Sequence, residues 1–141
     1  MKKQVVLSVK GRQSYMDQEP DVIELVTEGT MEYKDGGWDI SYEESALTGM
    51  EGVTTSFRVE PDKIVLTRTG KLNSQMVFQE GVSHNSLYQM EFGALMITVC
   101  AKRMIAQLGD NGGMIDLIYG IEIEQSTAGT VDYHLEIFAK E

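Results

Sequence analysis

Apolar and polar residues alternate along most of this chain with a period of two, the repeat of a β-strand that buries one face. The pattern centres on His84 to Ala101: Tyr88, Met90 and Phe92 share one parity, and after Gly93 the period resumes on the other parity with Leu95, Ile97 and Val99. Such a flip requires a bend, bulge or turn, and glycine tolerates that corner. Val5, Leu7 and Val9 predict a first strand, and the polar run Gly11 to Pro20 reads as a loop. Ile23, Leu25, Thr27, Met31 and Tyr33 predict a long half-buried strand that turns at Asp35, Gly36 and Gly37 into Trp38, Ile40, Tyr42 and Glu44.

Further strands follow after the Gly49 to Gly52 turn: Val53, Thr55, Phe57 and Val59, then Ile64, Leu66 and Arg68, then Met76 and Phe78. Ala101 to Leu108 fits two periods, since Ala101, Met104, Ile105 and Leu108 have helical spacing while Met104, Ala106 and Leu108 have strand spacing; it is read as strand. Beyond the Gly109 to Gly113 turn, Ile115, Leu117, Tyr119, Ile121 and Ile123 alternate most cleanly, and a turn at Ser126 to Gly129 leads to Val131, Tyr133, Leu135 and Ile137. Short strands joined by short turns, with no strong helical element, predict an all-β fold. The expected form is an antiparallel up-and-down meander closed into a barrel of about eight to ten strands. No linker or repeat divides the chain, so residues 1–141 are expected to form one domain.

Charge changes the picture only by exclusion. Twelve basic residues against 22 acidic give a net charge of -10 with no basic cluster, which argues against nucleic acid as a partner. An acidic surface also keeps β-edges from associating. Cys100 is the only cysteine, so no intrachain disulfide or cysteine metal site can form, and its apolar surroundings predict a buried, inert thiol. The apolar run Val5 to Leu7 is too short for a signal peptide, and no segment has the length of a membrane-spanning helix. Cytoplasmic location without membrane association is the expectation.

Candidate chemistry lies where polar residues interrupt apolar faces. Glu44 continues the parity of Trp38, Ile40 and Tyr42, and Arg68 that of Ile64 and Leu66, so both are expected to point inward near the barrel rim. They would form either a structural ion pair or a polar anchor for a ligand. His134 shares the outward parity of Asp132 and Glu136, and His84 reads as a loop residue. No metal-ligand spacing, nucleophile elbow or phosphate loop occurs, so no metal, cofactor or catalytic residue is predicted. Trp38, Tyr42, Phe57, Phe78, Tyr88, Phe92, Tyr119 and Tyr133 fall on apolar faces, where they either line a pocket or fill it.

The order of several short motifs resembles the YwiB-like family of small bacterial β-barrel proteins. These are Ser41 to Ser45, then Thr48, Gly49 and Gly52 with Thr54 and Thr55, Arg68 to Gly70, Ser74 to Phe78 with Gly81, Tyr88 to Gly93, and Gly112 and Gly113 leading to Tyr119. Met90 and Glu91 stand where that family has threonine and proline. The resemblance spans nearly the whole chain and implies a calycin-like, lipocalin-like barrel, with no established activity. Gly36, Gly37 and Trp38 contain the Gly-x-Trp of lipocalins, but on the third strand rather than the first, so that match is read as chance.

Two functional readings follow. In one, the barrel binds a small apolar or amphipathic molecule, with Tyr42, Glu44, Arg68, Tyr88 and Tyr119 as ligand-binding candidates. In the other, a filled barrel acts through its surface on a protein partner. An interior void opening at the Glu44 and Arg68 end would favour the first, and a filled core the second.

Overall fold

The computed structural model describes residues 2–15, 21–44, 51–71, 73–90, 93–124 and 126–140, the side chains of 15, 21, 88–90 and 126–128 excepted. Ten strands follow in order: β1 (Lys3–Tyr15), β2 (Asp21–Lys34), β3 (Gly37–Glu43), β4 (Val53–Val59), β5 (Ile64–Gly70), β6 (Ser74–Phe78), β7 (Ser83–Met90), β8 (Gly93–Gly109), β9 (Gly112–Ile123) and β10 (Ser126–Ala139). They form one sheet in the order β6-β5-β4-β3-β2-β1-β10-β9-β8-β7, each strand antiparallel to its neighbours.

Each strand therefore pairs with its chain neighbour except at β6 and β7, and β1 meets β10, as an up-and-down meander requires. The sheet's two edges, β6 and β7, come together as a seam. Among the described residues the seam carries no ladder. Instead the Ser86 hydroxyl donates to the Gln75 carbonyl, Gln79 bridges Val82, and the Gly81 amide donates to Ala101 at 3.0 Å. The result is a nearly closed, all-β barrel, consistent with a calycin-like architecture.

The inward parities meet in one core. Phe57, Phe78, Leu7, Met31, Ile40, Ile64, Ile115, Leu117, Leu135 and Ile137 are fully buried in it. Each such side chain stabilises the fold by about 1.5–3 kcal/mol relative to exposure. Outward positions carry surface ion pairs such as Lys10 with Glu24 and Arg58 with Asp39. No helix long and apolar enough to cross a membrane occurs among the described residues.

The double period of Ala101 to Leu108 has a structural cause. Ala101 pairs with Tyr119 and Arg103 with Ile118, so Lys102 is an extra residue and the inward parity passes from odd to even there. Met104 then faces Leu117, and Ala106 faces Ile115. A β-bulge thus imitates helical spacing, and the segment is strand throughout.

Other expectations need correction. Gly11 to Tyr15 is not loop: it continues β1, paired along its length with β10 and up to Gln13 with β2. His84 lies in β7 opposite Val99, its Nε2 2.8 Å from Gln79 Oε1. The final turn falls at Glu124, and Ser126 to Gly129 is already strand, with a bulge between Thr127 and Gly129. Cys100 is half-exposed, facing outward between inward-facing Val99 and Ala101, so its thiol is not part of the core. The corner at Gly93 is a hairpin in which Met90 pairs with Gly93; Glu91 and Phe92 lie outside the described residues.

Candidate functional site

One row of residues crosses five strands at the same level of the barrel. Gly29 of β2 pairs with Tyr42 of β3, Tyr42 with Thr55 of β4, Thr55 with Arg68 of β5, and Arg68 with Ser74 of β6. All occupy inward parities: Tyr42 follows Ile40, Thr55 lies between Val53 and Phe57, Arg68 follows Leu66, and Ser74 precedes Met76. Four polar side chains therefore share one interior belt, displaced from the packed middle towards one end. Cross-strand neighbours have Cβ atoms about 5 Å apart, so each side chain in the belt is within reach of the next.

The contacts of the belt are specific. Glu44, 7% exposed, extends β3 by donating its backbone amide to the Val53 carbonyl at 2.8 Å. Its carboxylate Oε2 accepts a 2.5 Å hydrogen bond from the Thr55 hydroxyl. Thr55 thus stands between Glu44 and Arg68. Across the barrel, the hydroxyls of Tyr42 and Tyr133 are 2.6 Å apart, linking β3 to β10, and the Tyr133 ring is tilted against Phe57 with centroids 5.7 Å apart.

At the other end of the row, two polar atoms are buried without a hydrogen-bond partner: Arg68 Nε and Ser74 Oγ, with Ser74 itself 8% exposed. A buried donor left unmet costs about 1–3 kcal/mol. Both belong to paired residues on β5 and β6, and β6 borders the seam.

Of the sequence candidates, Tyr42, Glu44 and Arg68 are brought together in this belt. Tyr119 is buried elsewhere in the core, its ring 4.6 Å from that of Phe78. Tyr88 pairs with Leu95 through its backbone, and its side chain lies outside the described residues. Thr55 and Ser74, which were not among the candidates, and Tyr133, expected only as one of the aromatic residues lining or filling the interior, complete the arrangement. Their signal is nonetheless present in the sequence as polar groups on otherwise apolar parities.

Fully buried side chains occupy the middle of the barrel, and the clefts among the described residues include three around it. One of about 540 Å³ opens at the opposite end, between the β2–β3 and β4–β5 turns and β8, lined by Trp38, Val59, Ile64, Met104 and Leu108 among others. One of about 410 Å³ includes Cys100 and Lys102 on the outer face of β8, and one of about 660 Å³ runs over β2 and β3 past Tyr42 and Glu44. None of these three is lined by Arg68.

Electrostatics in the belt favours neutral tyrosines. Burial pushes the Tyr42 phenol far above its ordinary range, reinforced by the neighbouring Tyr133 and Glu44 and opposed by Arg68. Burial also raises Tyr133, against the lowering effects of its hydrogen bond to Tyr42 and of Arg68. Folded values above the unfolded value of about 10 mean that this stabilisation is complete below pH ~10 and is lost as pH rises through the folded values. In an alkaline titration followed by tyrosinate absorbance, Tyr42 and Tyr133 are expected to stay protonated until the barrel unfolds. Tyr42→Phe and Tyr133→Phe should each remove one late-titrating group. All tyrosines titrating together while the fold persists would contradict the buried pair.

A sequence profile of a domain of unknown function, DUF1934, matches residues 7–137. The chain belongs to this family. No curated protein matches the DUF1934 chain significantly. Its structure is similar to the crystal structure of the ywiB protein from Bacillus subtilis, with a TM-score of 0.88 and 22% sequence identity over 99% of this chain and 94% of that one. At that identity the likeness establishes a shared fold, and it bears out the resemblance to YwiB-like proteins. Membership in DUF1934 therefore fixes the barrel and leaves the activity to be argued from the interior.

Proposed function

We propose that this DUF1934 barrel binds a small apolar or amphipathic molecule, with its polar part at the belt formed by Tyr42, Thr55, Arg68 and Ser74. The observation that carries this reading is the pair of buried, unpartnered atoms, Arg68 Nε and Ser74 Oγ, in an interior whose other described polar contacts are made. A buried donor left unmet costs about 1–3 kcal/mol, and a bound ligand is one source of compensation. The unladdered seam beside Ser74 supports the same reading, because parting β6 from β7 breaks few backbone hydrogen bonds and makes room next to the belt. Among the described residues no group of three His, Cys, Asp or Glu side chains could hold a metal ion.

A second reading, a barrel that acts on a protein partner through its surface, is favoured by the filled middle and by exposed apolar residues on the outer face. Leu87 and Met96 pair across β7 and β8, and Val26 is 71% exposed. One experiment separates the two. Medium-chain alcohols and carboxylates, screened by thermal shift, should raise the melting temperature, since a ligand at a hundredfold excess over its Kd stabilises the fold by about 2.7 kcal/mol. Trp38 is partly buried against the core and stacked edge-on to Tyr33 at 4.9 Å, so its emission should change as strand ends tighten. A flat response in both measurements, together with pull-down of one specific protein, would favour the surface reading.

A further inference from the structure

We infer that the group recognised at the belt is a carboxylate, and that the ligand is a medium-chain carboxylic acid anion entering at the β6–β7 seam. This rests on the binding reading above and specifies its chemistry.

The argument begins with donors and acceptors. The one carboxylate placed at the belt, Glu44, accepts from Thr55, and the two tyrosine hydroxyls are bonded to each other. The groups left over are both able to donate: the Nε–H of Arg68 and the hydroxyl of Ser74. What they lack is an acceptor. A neutral alcohol offers one oxygen, which meets one donor well. A carboxylate offers two coplanar oxygens, one to accept from the Arg68 Nε–H and one from the adjacent Ser74 hydroxyl.

Charge narrows the class further. Arg68 and Glu44 together contribute no net charge to the belt, and both act on Tyr42 and Tyr133, so a ligand beside Arg68 also feels Glu44. A monoanion gains from the guanidinium while its repulsion by Glu44 stays limited. A phosphate monoester, carrying nearly two charges at neutral pH, has its attraction to Arg68 and its repulsion by Glu44 both about doubled, while the cost of taking it out of water rises more steeply with charge, which favours the monoanion. A cationic head would meet Arg68 unfavourably.

Position identifies the rest of the molecule. Below Ser74 on the same inward parity of β6 come Met76 and Phe78, and below Arg68 come Leu66 and Ile64. These four side chains are 0–3% exposed in the packed core, so a chain whose head lies between Arg68 and Ser74 meets them only once β6 parts from β7, along the strand that lacks a ladder on its outer edge. An alkyl tail fits that wall, whereas a sugar or a second charge does not.

The test compares decanoate, decanol and decyl phosphate, all below their micelle concentrations, by calorimetric titration of the full chain. Decanoate is expected to bind at least about tenfold more tightly than either of the others, the margin of one charge-assisted hydrogen bond. Arg68→Met should abolish that margin while leaving decanol binding within about threefold, and Ser74→Ala should reduce it by part. In the unaltered protein, the Arg68 Nε–H resonance should shift on addition of decanoate and not of decanol, which keeps the proposal testable if Arg68→Met does not fold. Equal binding of decanol and decanoate would overturn the carboxylate assignment and leave the binding barrel standing. Tighter binding of decyl phosphate would replace carboxylate by phosphate. Binding of none of the three, with no thermal shift, would overturn both readings together.

Discussion

Phe57→Ala is expected to destabilise the barrel by about 3–5 kcal/mol, lowering the denaturant midpoint with little change in the slope. Phe57 is fully buried on β4, between Ile40 of β3 and Leu66 of β5 in register, with its ring against Tyr133 from the far side of the barrel. Its neighbours are anchored in three different strands and cannot all collapse into the space it leaves. Part of the cost therefore remains as a cavity rather than being relaxed away. The cavity would be apolar on most sides, so it should stay dry and take up xenon or benzene. Tyr133 would also lose the wall that holds its ring, and the late titration of the tyrosine pair should become less pronounced. A loss below about 1.5 kcal/mol would mean that the interior is not close-packed at this level. It would move the molecule towards a hollow barrel.

How much of this was legible in the sequence depends on whether the deciding interaction is local. The strand of Ile115, Leu117 and Tyr119 reads directly, because one side chain in two is apolar and its burial follows from parity alone. The inward aim of Glu44 and Arg68 was legible in the same way. Gly11 to Tyr15 was not, because Arg12, Gln13 and Ser14 present polar groups to both faces, and what makes the segment strand is backbone pairing with neighbours supplied by distant sequence. Cys100 shows the opposite case: it lies off the parity of Leu95, Ile97 and Val99, which aims it outward, while the apolar character of its neighbours suggests burial. At Lys102 one extra residue shifts the period, which no single-period reading can represent. The contact between Tyr42 and Tyr133 joins residues 91 positions apart and leaves no local signature. Thr55 and Ser74 were visible as polar breaks, but a small hydroxyl on a strand is too ordinary to be singled out until its partner, or the lack of one, is seen.

The hairpin between β8 and β9 should be the least forgiving of the turns, and Gly113→Val is expected to cost more than about 3 kcal/mol and to leave little folded protein at 37 °C. Two effects add. Gly112 and Gly113 have φ of +113° and +149°, a region that side-chain-bearing residues enter at a cost of about 1–3 kcal/mol each. A Cβ at Gly113 would also run into the backbone carbonyl of Gln107, and one at Gly112 into that of Ile137. Neither obstacle is a flexible side chain that could swing aside. Both are backbone atoms of the strands flanking β9, so relief would require moving β8 or β10. Moving β8 is costly here, because Leu108 pairs with Gly113 and this register carries the inward parity on from the Lys102 bulge to Met104, Ala106 and Leu108. Gly109→Ala is the matched control: its Cβ would meet nothing within 4 Å and its φ is ordinary, so it should be neutral or stabilise by up to about 1 kcal/mol. A Gly113→Val protein with the midpoint of the Gly109→Ala control would show that β8 can slide against β9 at little cost. The parity of Met104 and Leu108 would then be set by packing at the Trp38 cleft instead of by the hairpin.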